Sequence, residues 1–270
     1  MKLAILSDVH ANIEALQAAL DHADRQGATR ILCLGDIVGY NTNPNECVAL
    51  LRARGAVCIA GNHDRAVTGQ IGTTGFNDFA ARAANWTRIH MDENALDFLS
   101  GLPVKATFED RLVMVHGALH PERNSESVYL DTDEKLERSF EALDVHPSGA
   151  RICAFGHTHE AAIYEWRDGR MNKFTAETVM LRDSASYLIN PGAVGQPRGA
   201  DDRATYFTFD TESRALALYR VAYDAAVPFG KTRRAGLARP LGFLPQPLRN
   251  TLIGGLRATG LYAATKRLFH

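Results

Sequence analysis

Short apolar runs of strand length alternate with amphipathic, helix-like segments through the first third of this 270-residue chain, and each run stops at a cluster of polar residues. Lys2 to Leu6 ends in Ser7-Asp8-Val9-His10, Ile31 to Leu34 in Gly35-Asp36, and Val57 to Ala60 in Gly61-Asn62-His63-Asp64. Between them, Ile13 to Arg25 carries Ile13, Leu16, Leu20 and Ala23 at helical spacing and closes at Gly27, while Asn45 to Arg54 follows Pro44 and stops at Gly55. Strand, helix, strand in this rhythm is the pattern of parallel βαβ units. Ligands of open α/β sheets gather outside the carboxyl ends of the strands, so all three polar clusters are expected on one rim.

Beyond that third the rhythm changes. Residues 65 to 100 read as mainly helical and polar-faced, a cap or flank beside the rim. From Val104 onward short strands and hairpins take over: Leu112 to Val115, Ile152 to Phe155, Ala162 to Trp166 turning at Asp168-Gly169, Tyr187 to Ile189, Ala204 to Phe209 and Leu216 to Val221. An α/β half followed by a β-rich half predicts an α/β fold of two packed mixed β-sheets flanked by α-helices. One domain is expected over residues 1–225, followed by a basic, partly helical extension over 226–270. Eight of the 30 Lys and Arg residues lie beyond Asp224, and none of the 31 Asp and Glu. In the extension Leu248, Leu252, Ile253 and Leu256 recur at helical spacing beside Arg249 and Arg257. That pattern suits packing on the acidic body, or on a second copy in a homo-oligomer, better than contact with nucleic acid or an anionic membrane.

Composition removes one class of function. With 46% hydrophobic and 23% charged residues, the chain has no apolar run near the roughly 18 to 20 residues of a transmembrane helix. Met1-Lys2 leads straight into the first strand with no room for a cleavable signal, and Cys33, Cys47, Cys58 and Cys153 stand singly, as small buried hydrophobes of a reducing compartment do. A cytoplasmic location is the expectation.

Two further runs end in the same manner as the first three, Met114-Val115 in His116-Gly117 and Ile152 to Phe155 in Gly156-His157-Thr158-His159. Asp8, His10, Asp36, Asn62, His116, His157 and His159 are thus seven residues of metal-ligand type at five strand ends. Asp8 and His10, two apart in a segment that reads as extended, would point to one side. Gly35 would let the backbone turn sharply at Asp36, whose two carboxylate oxygens could bridge two ions. Imidazole, carboxylate and amide without thiolate suit manganese, iron, cobalt, nickel or zinc better than copper or calcium. Singly, Asp8, Asp36, Asn62 or Asp64 could be a cap or turn former, and His116 a core histidine. Five coincident clusters do not follow from those roles.

The ordered series DVH, GD, GNHD, HG and GHTH resembles the calcineurin-like metallophosphoesterases, particularly the compact bacterial phosphodiesterase branch of YfcE-like and diadenosine tetraphosphatase-related proteins. The resemblance runs from Leu3 to the neighbourhood of Pro197 and includes the Asn190-Pro191-Gly192 turn. It implies that Asp8, His10 and His159 hold one divalent ion, that Asn62, His116 and His157 hold a second, and that Asp36 bridges them, with manganese the first choice. It also implies ions about 3.5 to 4 Å apart sharing a hydroxide that attacks phosphorus in line. His63 would contact a phosphate oxygen and protonate the leaving group, Asp64 would orient or charge it, and Asn12 would line the phosphate pocket. Arg65 and Arg198 are further candidate phosphate contacts, His120 and Arg123 follow His116 in the same loop, and Tyr40 could stack on a base or sugar. His22, His90, His146 and His270 lie outside every motif.

The expected activity is hydrolysis of phosphodiester or phosphoanhydride bonds of small phosphate esters, with dinucleoside polyphosphates or cyclic nucleotides as the alternative substrates. The related protein phosphatases carry an arginine before GNH and a GDxVDRG segment. Ala60 and Gly35-Asp36-Ile37-Val38-Gly39-Tyr40 stand here instead, which counts against phosphoproteins. A non-catalytic scaffold of the same fold, like the retromer subunit, would be marked by lost ligands, and none is lost.

Overall fold

The computed structural model describes residues 1–121, 124–198 and 201–237, together with Thr251, Leu252, Gly255 and Thr259. Arg123, His270 and the amphipathic pattern of the extension, apart from an exposed Leu252, lie outside the described residues.

The first third folds as its rhythm predicts. Strands β1 (Lys2–Leu6), β2 (Arg30–Cys33) and β3 (Val57–Cys58) pair in parallel, and helices α1 (Ile13–Arg25) and α2 (Pro44–Ala53) connect them. Helices α3 (Asn62–Thr68), α4 (Asp78–His90) and α5 (Glu93–Ser100) follow, then β4 (Lys105–Phe108), β5 (Leu112–Val115), a 3-10 turn at Ser125–Ser127 and helix α6 (Asp133–Asp144). The remaining elements are β6 (Ile152–Ala154), β7 (Ala161–Arg167), β8 (Arg170–Phe174), β9 (Thr178–Met180), β10 (Ser186–Pro191), β11 (Ala204–Asp210), β12 (Ala215–Val221) and α7 (Ala226–Arg234). Two six-stranded mixed sheets result, ordered β3-β2-β1-β11-β12-β9 and β4-β5-β6-β10-β7-β8. The two-sheet α/β architecture is the one expected from the sequence.

Alternation along the strands divides the core. Leu3, Ile5, Leu32, Phe207 and Phe209 of the first sheet meet Met114, Ile152, Tyr187 and Ile189 of the second. The opposite faces of the same strands, Ala4, Leu6 and Cys33, receive Leu16, Leu20, Val48 and Leu51 from α1 and α2. Each fully buried side chain of this size contributes about 1.5 to 3 kcal/mol.

The β-rich half also contains a helix that the strand pattern hides. Leu136, Phe140 and Leu143 of α6 pack on Val113, Cys153, Phe155 and Leu188 behind the second sheet, and Thr132 caps the helix by accepting from Lys135 N–H. The extension begins as α7, tied to the body by the Lys231 ammonium, which donates to Glu14 (2.5 Å) and Asn43 (2.8 Å). Leu237 is buried with Tyr40, Phe79, Ala80 and Ala83. Among the described residues no helix is long and apolar enough to cross a membrane.

Candidate metal centre

The loops after β1, β2, β3, β5 and β6 converge at one rim, and the seven predicted ligand residues are all buried there. Backbone bonds zip the first two loops together: Asp8 N–H donates to Gly35 C=O (3.1 Å), His10 N–H to Asp36 C=O (2.9 Å) and Ala11 N–H to Ile37 C=O (2.9 Å). This corrects the extended reading of Asp8-Val9-His10. Asp8 and His10 take φ of 56° and 50°, and Asp36, His157 and His159 are also left-handed at 51°, 65° and 61°. Such conformations cost on the order of 1 to 3 kcal/mol each and gather where surrounding structure enforces them for function. The β2 and β3 loops touch backbone to backbone: a Cβ on Gly35 would lie 2.4 Å from the Gly61 nitrogen, and one on Gly61 would lie 2.1 Å from Asp36 Oδ1.

The imidazoles are aimed by their far nitrogens. Nδ1 of His10, His116 and His159 meets the carbonyls of Val38 (3.1 Å), Leu34 (2.8 Å) and Gln196 (2.6 Å). A carbonyl only accepts, so each neutral ring carries its proton on Nδ1 and turns the Nε2 lone pair inward. Inside, acceptors then face acceptors. His10 Nε2 lies 3.2 Å from His159 Nε2, 3.7 Å from Asp8 Oδ1 and 3.6 Å from Asp36 Oδ2, and His159 Nε2 lies 3.2 Å from Asp8 Oδ1. His116 Nε2 lies 3.2 Å from Asp36 Oδ2. Asp8 Oδ1, Asn62 Oδ1, His116 Nε2 and His157 Nε2 are buried without a hydrogen bond.

A converging set of lone pairs is repulsive unless cations stand among them. Ligands about 2.0 to 2.2 Å from a shared ion lie at most about 4.4 Å from one another, the range observed here. Two groups come close to that limit, Asp8, His10, Asp36 and His159, and Asp36, His116 and His157, with ligand atoms in each within 4.8 Å of one another. Asp36 belongs to both. The Asn62 oxygen, buried at the same rim, is likewise without a partner.

Electrostatics agree with a cation site. Burial holds His10 well below its ordinary range and pushes His157 down to about 3, so both rings stay neutral. Burial would also lower His116, but the Asp36 and Asp8 carboxylates outweigh it and raise that ring to about 10. Without a cation beside the carboxylates His116 is therefore the ring that takes a second proton, and its Nε2 becomes a free lone pair only when a cation stands in that proton's place. This corner is built to hold positive charge.

The remaining predicted residues are distributed unequally. His63 lies at the rim with its ring against Tyr40 (4.7 Å between centroids), Phe76 (4.6 Å) and His10 (4.9 Å), and its Nδ1 makes no hydrogen bond. Its backbone N–H donates to Asp36 Oδ1 (2.8 Å). Asp64 is turned away from that ring, because as the third residue of α3 it caps its own helix. Its carboxylate accepts from Gly61 N–H (2.9 Å) and Val38 N–H (3.1 Å), so it anchors the loops and does not orient His63. Burial, and next the Asp36 charge, raise Asp64 to about 7. Asn12 caps α1 through Ala15 N–H and donates to Gly195 C=O (3.0 Å) and Tyr223 Oη (3.3 Å), which leaves it a cap and loop tether. Arg65 pairs with the buried Glu126 and joins α3 to the loop after His116. Tyr40 is packing, buried on His63, His10 and Phe79. Arg198 is exposed and lies over Tyr129, 5.6 Å from the ring centre.

Sequence reading passed over Tyr129, whose ring packs 3.9 Å from that of His157, and Glu126. Neither stands in a cluster at a strand end. A carboxylate beside no cation in sequence was the one available signal for Glu126.

The model of the calcineurin-like phosphoesterase superfamily domain matches residues 1–214. The chain belongs to this superfamily. It is 34% identical to the uncharacterized protein MJ0912 of Methanocaldococcus jannaschii over 242 residues, 89% of this chain and 95% of that one. It is also 34% identical to a crystallised metallophosphoesterase from Sphaerobacter thermophilus, with a TM-score of 0.74 over 90% of this chain and 97% of that one. The hypothetical protein PH1004 from Pyrococcus horikoshii OT3 shares the fold at 16% identity and a TM-score of 0.69, over 89% of this chain and 96% of that one. Within this metal-dependent phosphoesterase superfamily, the buried Asp and His groups form a potential metal-binding site.

Proposed function

We propose that the protein is a dinuclear metal-dependent phosphoesterase that hydrolyses phosphodiester or phosphoanhydride bonds of small molecules. The observation that carries this reading is the inward-facing set of acceptors with Asp36 common to both of its halves. Asp8, His10 and His159 would hold one ion, Asn62, His116 and His157 the other, and Asp36 both, with manganese preferred over iron, cobalt, nickel or zinc. When bound, such a pair of ions polarises the phosphoryl oxygens and makes water a better nucleophile at neutral pH. The chain's own residues do the rest. The Val38, Leu34 and Gln196 carbonyls keep three imidazoles in the one tautomer that leaves Nε2 free. His63 presents a ring at the rim, fixed by Tyr40 and Phe76; burial lowers it to about 4, and a phosphate anion beside it would favour the protonated form from which a proton passes to the leaving oxygen. Arg198, which lies over Tyr129, would meet a phosphate oxygen.

Four free, buried cysteines support a reducing, cytoplasmic setting within the same proposal. The test is hydrolysis of bis-p-nitrophenyl phosphate by chelator-treated protein with and without added manganese, beside Asp36→Asn and His63→Ala. Turnover that needs metal and is lost in Asp36→Asn supports the reading. Metal-independent turnover, or none with any ion, overturns it.

A further inference from the structure

A groove of about 670 Å³ runs from the edge of the metal centre along β7 and β8 to the start of α6, and the chemistry above leaves it unused. Tyr129 is the wall that the groove and the centre share: one side of it packs on His157 at 3.9 Å, and the Arg198 guanidinium lies over the ring while donating to its hydroxyl (3.3 Å). At the far end the Lys173 ammonium lies over Tyr164, 5.3 Å from the ring centre. Leu136, Phe155 and Met171 supply apolar lining, and Asp133 and Glu160 stand at the edge, exposed and without an ion pair among the described residues.

This lining selects an occupant by its chemistry. The volume lies within the roughly 300 to 1,000 Å³ of small-molecule sites. Aromatic and apolar walls favour a flat ring, while carboxylates accept from hydroxyl and amino groups on its edge. Asp131 is already paired with Lys135 (2.6 Å), so Asp133 and Glu160 face Lys173 and Arg198 in balance, and a lining of balanced charge favours an uncharged, hydrogen-bond-donating ring over a second phosphate deep in the groove. We infer that the groove binds the nucleoside portion of a nucleotide ester whose phosphorus lies at the metal centre, with Tyr164 as the base-stacking residue and Tyr129 as the divider between phosphate and nucleoside. The inference rests on the phosphoesterase reading for where the phosphorus lies, and its test does not depend on turnover.

Calorimetric titration of the full-length, manganese-loaded protein with adenosine 5′-monophosphate, ribose 5-phosphate and inorganic phosphate reads the groove directly. The nucleotide is expected to bind at least about tenfold more tightly than either phosphate lacking a base. Tyr164→Ala should weaken the nucleotide about tenfold and inorganic phosphate less than about twofold, and Tyr164→Phe should restore it, since a base stacks on the ring and not on the hydroxyl. Lys173→Met, an exposed change on β8, should weaken the nucleotide in the same selective manner. Equal affinity for nucleotide and ribose 5-phosphate overturns the assignment, as does a Tyr164→Ala loss shared equally by all three ligands. Selective nucleotide binding with no hydrolysis of any ester keeps the groove and discards the phosphoesterase reading. Ester hydrolysis without selective binding does the reverse.

Discussion

Gly39→Ala should separate acid catalysis from metal binding. Gly39 has φ of +91°, and a Cβ there would lie 2.5 Å from His63 Nδ1, 3.2 Å from its Cγ and 3.3 Å from its Cβ. The left-handed conformation costs an alanine on the order of 1 to 3 kcal/mol, less than the roughly 5 to 15 kcal/mol that holds a typical domain folded. Ordinary contact begins near 3.4 Å, so the imidazole must move by about 0.9 Å. Tyr40, Phe76 and His10 already pack against the ring and leave no free path. A misplacement of about 1 Å costs up to about 10²-fold in rate, within the roughly 10² to 10⁴ assigned to a general acid. The assay compares kcat/KM on a p-nitrophenyl diester, whose phenolate leaves unaided, with an alkyl diester, whose alkoxide needs a proton. Metal content is measured alongside. The alkyl ester should lose about 10²-fold and the p-nitrophenyl ester under about tenfold, following His63→Ala in kind. An equal loss on both substrates with both ions retained would refute the role given to His63.

Other perturbations address the centre and its supports. Asp36→Asn should lower bound metal below two ions per chain and cut turnover by at least about 10³-fold, read by elemental analysis and kinetics, because the amide gives up the charge that both ligand groups share. Glu126→Ala leaves the Arg65 guanidinium, 21% exposed, without its partner. A urea-denaturation loss of about 2 to 4 kcal/mol is expected, and smaller for Glu126→Leu with Arg65→Leu. Burial, and next the charge on a neighbouring Tyr219 phenolate, raise Tyr206 above its ordinary value. The native state therefore prefers the protonated phenol, and stability should fall as pH climbs beyond about 10, the unfolded value. Tyr206→Phe should flatten that alkaline decline in a chemical-denaturation series.

The fold and the gathering of Asp and His residues at one rim were legible because each depends on a local pattern. Alternating strands and helices placed three loops on one rim, and the residue types at five strand ends pointed to a metal site. α6 was legible too, since Leu136, Phe140 and Leu143 follow a Thr132 cap at helical spacing, but the strand signals on either side outweighed it. The Asp64 partners were not legible. An acid after a histidine reads as its orienter, and only the register of α3 shows that the side chain turns back to Gly61 and across to Val38. Tyr129 and Glu126 lie within the same loop region after His116, and their partners His157 and Arg65 come from other strand ends, so no local pattern could announce them.

The left-handed backbone of the proposed ligands explains why these residue types stand at the strand ends. Asp and His are among the non-glycine residues that most readily enter this conformation, and both bind divalent ions. At Asp8, His10, Asp36, His157 and His159 one choice of residue therefore meets two demands, a sharp turn after a strand and an inward donor atom. Residues that form turns alone and residues that bind metal alone would each leave one demand unmet. The reading of Asp8 or Asp36 as a turn former and the reading as a ligand are thus not rivals. The turn delivers the ligand, and the bonds from Asp8 to Gly35 and from His10 to Asp36 supply the enforcement that makes the strain tolerable.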